Sequence, residues 1–348
     1  MKYNIFISAA VTGGHIMPGI SIYEELKKFD FNCIFLGKKG GIEEKIYKDY
    51  NVSYYLLPIY HPFSKGLKET MLFFVTFFYN IFKLLYLYLR FKPKALIATG
   101  NYFCILPILT MKIFSKPIYL LEQNTVLGRT VKYFSIFAEK VFLGFPIFNG
   151  YFLKKSKFVY TGNPLRREIK EESSEKREEK FCLILGGSLG AKKLVEIGIR
   201  LAEEFPNEYF LIQGGKKEDK IIIEKKNLKN VEIFNFRSNI QEYLKKAKLV
   251  IARAGGMTIS EILYLNIPAI FVPYPFAKDN HQRKNAQYVA KRTGSFLCEE
   301  NWEEMKKIFS LLLSNEELRE KIKENMKKFI KKEGATLIAK FIAEKVKK

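Results

Sequence analysis

Short apolar runs alternate with helical patterns along the whole chain. Because the apolar residues of each run are consecutive rather than alternating, the runs are typical of parallel strands that are covered on both faces. The pattern predicts an α/β protein. The first series of predicted strands covers residues 3–10, 32–36, 95–99, 118–122 and 141–145, and the second covers 181–185, 209–213, 231–234, 249–252, 269–272 and 295–298.

Each series begins with a strand that runs into glycines and then into a helix. The glycines are in Thr12-Gly13-Gly14 in the first series and in Gly186-Gly187-Ser188 in the second. Two Rossmann-like halves in tandem are the simplest interpretation. The charge-dense stretch 166–180 has no apolar periodicity and is the best candidate for the linker. The segment 334–348 resumes an amphipathic pattern and predicts a closing helix.

The segment between Met71 and Phe91 is almost entirely apolar or aromatic and resembles a membrane span. However, Thr76, Asn80 and Lys83 are spaced so that they share one stripe of a helix, which Arg90 extends. Aromatic residues beside Lys and Arg suit the headgroup boundary of an anionic membrane, so we expect an interfacial helix. A helix buried against the first sheet and a true span remain the alternatives.

Composition supports two domains and adds a strong positive charge. The chain has 348 residues, 48% of them hydrophobic, which is enough for two packed cores. The formal net charge of +23 favours phosphates, polyanions or an anionic membrane as partners. The four cysteines lie far apart and are expected to be reduced core residues of a cytosolic protein. The apolar start of the chain lacks a cleavage pattern and is expected to be a buried strand, not a signal peptide.

The first glycine turn is a candidate anion site. Backbone N–H groups of Thr12, Gly13 and Gly14 would approach an anion at a helix N-terminus, and His15 would project towards whatever is bound there. His15 is therefore a candidate general base. A tight turn with a surface histidine fits the same residues.

The second half contains two further glycine turns. Ser188 lies in the turn after the first strand of this half and could bind a diphosphate, although an ordinary βα turn fits equally well. In residues 252–261, backbone amides and Thr258 could meet phosphate while Glu261 accepts two ribose hydroxyls; alternatively, Thr258 is only a helix N-cap. The polar residues 279–282 on the next loop predict a site that reads sugar hydroxyls.

The sequence predicts no metal and no cofactor. It contains no Asp-x-Asp and no His, Cys and Asp cluster with ligand spacing. A departing diphosphate would then be stabilised by helix N-termini and side chains such as Arg166.

Taken together and in order, these blocks resemble the MurG family of GT-B glycosyltransferases. The match extends over nearly the whole chain. The blocks are Thr12-Gly13-Gly14-His15, Glu122-Gln123-Asn124, the six residues from Thr161 to Arg166, the six from Gly186 to Ala191, the segment from Gly255 to Glu261, and the four residues from Asp279 to Gln282.

The resemblance implies an α/β protein of the GT-B class, with two Rossmann-like domains facing across a cleft. Residues 1–161 would form the acceptor and membrane-facing domain, with the helix 334–348 packing back onto it, and residues 162–333 would bind the UDP-sugar. The activity implied is metal-independent, inverting transfer of N-acetylglucosamine (GlcNAc) from UDP-GlcNAc to the muramoyl 4-hydroxyl of lipid I, an undecaprenyl-diphosphate-linked acceptor. The product is lipid II for peptidoglycan synthesis, and hence for cell shape and division.

The resemblance also implies roles for individual residues and a location. His15 matches the candidate general base, Glu261 would face the ribose, and Arg237 would touch uracil through its backbone. The enzyme would be peripheral on the cytoplasmic face of the cell membrane, with an anionic membrane surface and cell-wall synthesis proteins as partners and no nucleic acid. The donor-binding residues implied are Thr12, Gly13, Gly14, Asn124, Arg166, Ser188, Arg237, Gly256, Met257, Thr258, Glu261 and Gln282.

Two glycine-rich loops depart from the family pattern. Ala10-Val11 stands where the family has two glycines, and residues 100–106 replace Gly-Gly-Tyr-x-x-Gly-Pro. Because both loops are implied to hold the acceptor diphosphate, a related transferase with a diacylglycerol-type acceptor stays open. A UDP-sugar epimerase and a basic nucleic-acid-binding protein are further alternatives, although the chain contains no recognisable nucleic-acid module.

Overall fold

The computed structural model describes residues 3–59, 67–146, 155–170, 179–186, 191–214, 227–235, 239–329 and 333–347. The chain divides into two compact units. The first comprises Met1–Arg166 together with Lys331–Lys348, and the second comprises Arg167–Ile330.

The first unit is built on a parallel sheet of seven strands in the order β3-β2-β1-β4-β5-β6-β7. β1 is central and pairs with β2 on one side and with β4 on the other. The strands are β1 (Tyr3–Ser8), β2 (Phe31–Lys38), β3 (Ser53–Leu57), β4 (Ala95–Ala98), β5 (Ile118–Glu122), β6 (Lys140–Leu143) and β7 (Phe158–Tyr160).

The second unit repeats this arrangement with six parallel strands in the order β10-β9-β8-β11-β12-β13. Here β8 is central, between β9 and β11. The strands are β8 (Phe181–Leu185), β9 (Phe210–Gln213), β10 (Val231–Phe234), β11 (Ala247–Ala252), β12 (Ala269–Phe271) and β13 (Phe296–Leu297).

Helices connect the strands, as parallel pairing requires. They are α1 (Gly13–Leu26), α2 (Glu43–Asp49), α3 (Leu67–Phe91), α4 (Ile105–Ile113), α5 (Arg129–Phe134), α6 (Arg167–Lys170), α7 (Lys192–Glu204), α8 (Ile240–Lys246), α9 (Gly256–Tyr264), α10 (His281–Thr293), α11 (Trp302–Ser314), α12 (Glu316–Phe329) and α13 (Gly334–Lys347).

Both faces of the first sheet are covered. Side chains of a strand alternate between faces, so Ile5 and Ile7 of β1 pack on one side with α1, α2 and α13, while Phe6 packs on the other side with α3, α4 and α5. From α13, Ile338 and Ile342 are fully buried in the first of these clusters. All four cysteines are free and buried, as the sequence predicted.

The helix α3 has an unusual distribution of side chains. Its buried face includes Leu84, Leu87 and also Asn80, which is 1% exposed and donates from Nδ2 to the Pro58 carbonyl over 2.8 Å. Lys83 donates to the Leu56 carbonyl over 2.9 Å. The predicted polar stripe thus points partly inwards, towards the chain at the end of β3. The exposed face is apolar and aromatic: Met71, Phe74, Val75, Phe78, Tyr79, Phe82, Tyr86 and Leu89 are each more than half exposed.

By length and composition alone, α3 could cross a bilayer over Thr70–Phe91, and it is the one helix in the described ranges of which this is true. Only 24% of its most apolar window is buried. Since Leu84 and Leu87 pack into the core beneath the first sheet, α3 lies on the first unit with its aromatic face outwards.

Candidate active site

The first sheet changes direction of winding between β1 and β4. The chain leaves β1 towards β2 and returns through β4 on the other side, so the turns after β1 and β4 diverge at the carboxyl edge of the sheet. In open α/β sheets, ligands bind at such a switch point. The predicted residues Thr12, Gly13, Gly14 and His15 begin α1 directly at this point.

His15 is held by the backbone of the neighbouring turn. Its ring is half-buried, and Nδ1 lies 2.7 Å from the carbonyl oxygen of Thr99. A carbonyl oxygen only accepts, so Nδ1 carries the proton and the lone pair of the neutral ring is on Nε2. This tautomer is the one that can accept a proton from a hydroxyl at Nε2. At the N-terminus of α1, Thr12 accepts through its carbonyl from the amides of His15 and Ile16.

A hydrogen-bond network fixes the Thr99 carbonyl. Thr99 donates to the Ser8 carbonyl from both its amide (3.0 Å) and its hydroxyl (3.2 Å). The side chain of Gln123 donates to the Thr99 carbonyl over 2.7 Å, and Asn163 in turn donates to the Gln123 carbonyl over 3.0 Å. Sequence reasoning missed Thr99 and the role of Gln123. The sequence pointed to Gln123 only through its position in the block Glu122-Gln123-Asn124.

Glu122 organises the turn that carries Asn124. One carboxylate oxygen accepts from both the amide and the side-chain Nδ2 of Asn124, each over 3.0 Å, and the other accepts from the Gly128 amide over 2.6 Å. Burial raises the pKa of Glu122, and these hydrogen bonds act in the opposite direction. The predicted donor residue Asn124 is therefore half-buried, with its Nδ2 turned towards Glu122.

The second unit has its own switch point, between β8 and β11. The turn after β11 leads into α9, whose N-cap is Gly255 with an extended backbone. Thr258 is therefore in the first turn of the helix, and the alternative that it is the N-cap is wrong. Gly256 and Met257 are buried at the same end, where the helix dipole and backbone amides favour an anion.

Buried polar side chains fix the turn after β11. Asn285 of α10 is fully buried and donates from Nδ2 to the Ala254 carbonyl over 3.0 Å. The guanidinium of Arg253 donates to the carbonyls of Val272 and Pro273 and pairs with Glu300. Sequence reasoning did not assign these contacts, because each joins residues far apart in the chain.

The other residues predicted to bind the donor lie in different parts of the structure. Glu261 is 6% exposed in the second turn of α9. Gln282 is the second residue of α10 and accepts through Oε1 from the Tyr274 amide over 2.9 Å, which leaves its Nε2 as the donor end. Arg166 is half-buried at the end of the first unit. Ser188 and Arg237 lie outside the described residues.

No set of three or more His, Cys, Asp or Glu side chains within the described ranges is arranged to hold a metal ion. The groups at the two switch points that could hold an anion are backbone amides at helix N-termini.

Comparison with known proteins identifies the family of the chain. The glycosyltransferase family 28 N-terminal domain matches residues 5–143, and the family 28 C-terminal domain matches residues 181–342. A curated relative from Sulfurihydrogenibium sp. (strain YO3AOP1) is 35% identical over 300 residues, 85% of this chain and 84% of the relative. It is named UDP-N-acetylglucosamine--N-acetylmuramyl-(pentapeptide) pyrophosphoryl-undecaprenol N-acetylglucosamine transferase. The chain belongs to the MurG family.

Further members of the MurG family support this assignment. A relative of the same name from Caldicellulosiruptor saccharolyticus is 32% identical over 370 residues, 99% of this chain and 98% of the relative. The crystal structure of Acinetobacter baumannii MurG covers 99% of this chain and 100% of its own, with a TM-score of 0.75 at 22% identity. The predicted family, GT-B fold class and glycosyltransferase activity are thereby confirmed.

Proposed function

We propose that this MurG family member transfers GlcNAc from UDP-GlcNAc to the muramoyl 4-hydroxyl of lipid I, with inversion at the anomeric carbon. The donor and the undecaprenyl-diphosphate-linked acceptor are those in the names of its relatives. The observation that carries the proposal is the hydrogen bond from His15 Nδ1 to Thr99 at the first switch point. With Nδ1 donating to the Thr99 carbonyl, the lone pair of the neutral ring is on Nε2, which is the nitrogen that a general base uses to accept a proton.

The reaction is a single displacement. The muramoyl 4-hydroxyl oxygen attacks the anomeric carbon of GlcNAc, its proton passes to His15 Nε2, and the bond from that carbon to the UDP oxygen breaks. The charge that develops on UDP is stabilised by the N-terminus of α9, without a metal ion. Gly256, Met257 and Thr258 supply this end of the helix, and Ser188 and Arg166 are further proposed diphosphate contacts.

The other donor contacts follow the family pattern. Glu261 is buried in α9, and its carboxylate is proposed to accept hydrogen bonds from the ribose hydroxyls. Gln282 and Asn124 are proposed to contact the sugar. The backbone of Arg237 is proposed to contact uracil. Thr12, Gly13 and Gly14 are proposed to offer first-turn amides to a substrate phosphate.

We place the acceptor and the membrane on the first unit and the UDP-sugar on the second. The support is the exposed aromatic face of α3, which Leu109 and Ile113 of α4 and Tyr133 and Ile136 near α5 extend. α4 packs beside α3, and α5 packs beside α4. Exposed Arg90, Lys112 and Lys132 add positive charge. Such a surface suits peripheral binding to the anionic cytoplasmic leaflet.

The direct test is UDP release from UDP-GlcNAc by the purified protein with a lipid I analogue, with diacylglycerol, or with no acceptor, each with and without EDTA. We expect release with the lipid I analogue only, at an unchanged rate in EDTA. Transfer to diacylglycerol alone would overturn the acceptor assignment, and conversion of UDP-GlcNAc without acceptor would show an epimerase. A rate abolished by EDTA and restored by a divalent cation would overturn metal independence.

A further inference from the structure

Two residues at the first switch point adopt backbone conformations that favour glycine. Val11 has φ 81°, and Asn101 has φ 67° with ψ 171°. The second combination is almost confined to glycine, and the first is rare for a β-branched residue. Such conformations persist only where surrounding contacts hold them, and they gather at functional sites.

The side chain of Asn101 joins the two turns. Its Nδ2 donates to the Ala10 carbonyl over 2.9 Å, and its Oδ1 accepts from the Phe103 amide over 2.8 Å. A carbonyl can only accept and an amide N–H can only donate, so these partners fix which end of the side chain is which. A glycine at this position could make neither bond.

The turn after β1 is also held from α2. The Tyr47 hydroxyl donates to the Ala9 carbonyl, and the Val11 amide donates to Glu43 over 3.2 Å. Tyr47 and Glu43 are fully buried. Ala9, Ala10 and Val11 are thus each bonded to a different side chain, and Asn101 is the member of this set that comes from the turn after β4.

We propose that Asn101 is a positioning residue for the His15 base. The two turns are joined at one end by the bond from Asn101 to Ala10 and at the other by the bond from His15 to Thr99. Together with the bonds from Thr99 to Ser8, the first bond therefore holds the backbone that precedes His15 beside the turn that carries the Thr99 carbonyl. This inference rests on the proposed function of His15, while the clamp between the turns is a property of the fold and is measurable without turnover.

The test is Asn101→Gly, because glycine readily adopts the backbone at this position and folding is preserved. We expect kcat with a lipid I analogue to fall about tenfold, the scale of one lost hydrogen bond, with KM for UDP-GlcNAc unchanged. Amide hydrogen exchange in residues 9–15 should become faster. Asn101→Asp keeps the acceptor for Phe103 but places an oxygen against the Ala10 carbonyl, so its kcat should fall at least as far.

The matched control is Asn51→Gly, since Asn51 is exposed after α2 and also has a left-handed backbone, with φ 47°. It should leave both kcat and exchange unchanged. Unchanged exchange in Asn101→Gly overturns the clamp, and faster exchange with a wild-type kcat overturns the positioning role. If the wild-type protein transfers no sugar to any acceptor, the proposed function fails, and the exchange comparison alone decides whether the clamp exists.

Discussion

The two switch points have the same topology but hold their turns in different ways. After β1, the turn contains Ala10 and Val11 and is held by side chains from α2 and from the turn after β4. After β11, the turn contains Gly255 and Gly256, its Ala254 carbonyl accepts from Asn285 of α10, and its own Arg253 donates to carbonyls of the turn after β12. Both turns are therefore held from a helix and from a neighbouring turn, but the side chains that hold the first come from other elements, whereas one that holds the second, Arg253, belongs to the turn itself.

The exteriors of the two units differ as well. The first unit presents the aromatic face of α3, whereas the last helices of the second unit, α11 and α12, are exposed mainly through charged residues. We interpret this difference to mean that the two units bind different substrates: the first binds the lipid-linked acceptor, and the second binds the water-soluble nucleotide sugar. Apart from the donor contacts proposed for Asn124 and Arg166 of the first unit, changes confined to one unit should then affect one substrate.

The largest effect is expected for His15→Ala in the first unit. Loss of a general base lowers rates by roughly 10²- to 10⁴-fold, so kcat should fall within this range while affinity for UDP-GlcNAc stays near that of the wild type. Steady-state kinetics with a lipid I analogue and calorimetry with the donor measure the two quantities. A near-normal kcat would remove His15 from the mechanism, and loss of donor affinity would break the division between the units.

A smaller effect is expected when the exposed face of α3 becomes polar. In the double variant Phe78→Ser and Phe82→Ser, both side chains are more than half exposed in the native fold, so folding should be little affected. Full burial of a Phe contributes about 1.5–3 kcal/mol, and binding to anionic vesicles should weaken at least tenfold. Vesicle sedimentation measures the fraction of protein bound to the vesicles.

The control for the α3 variant is Tyr209→Ser, an exposed aromatic residue of the second unit, which should leave vesicle binding unchanged. Equal binding by the double variant and the wild type would remove α3 from the membrane surface.

The smallest effect is expected for Asn285→Ala in the second unit. The buried carbonyl of Ala254 would lose a hydrogen bond, at a cost of about 1–3 kcal/mol in the free energy of unfolding. Denaturant unfolding should show this loss, and KM for UDP-GlcNAc should rise because the turn before α9 loosens. If the KM for the acceptor rose and that for the donor did not, the assignment of the donor to the second unit would be wrong.

Most of the first sheet could be predicted, but its two outer strands could not. The central strands are fully buried and therefore read as continuous apolar runs. The two strands that the sequence did not reveal, β3 and β7, are the outer strands of the first sheet. After Ser53 both strands are apolar or aromatic, but their runs, residues 54–57 and 158–160, are short and most of these residues are half-buried, so neither has the fully buried run of a central strand.

For the candidate site, the sequence identified residues but not their contacts. His15 stood out because the chain has three histidines and this one follows a glycine turn. Its partner Thr99 acts through a backbone carbonyl, which has no signature in sequence. For α3, the spacing of Asn80 and Lys83 located a polar stripe, but only the nearby carbonyls of Leu56 and Pro58 explain why that stripe turns inwards.

The position of α13 has a consequence for how the chain is made. Ile338 and Ile342 fill the core beside β1 and α1, yet they are synthesised after every residue of the second unit. During synthesis, part of the apolar core of the first unit therefore stays uncovered until α13 is made. The second unit is continuous from Arg167 to Ile330, so its whole sequence has been synthesised by then. The unit that is synthesised first is therefore the one whose core is completed last. Until α13 has been synthesised, the aromatic face of α3 is exposed on a unit whose core is still incomplete.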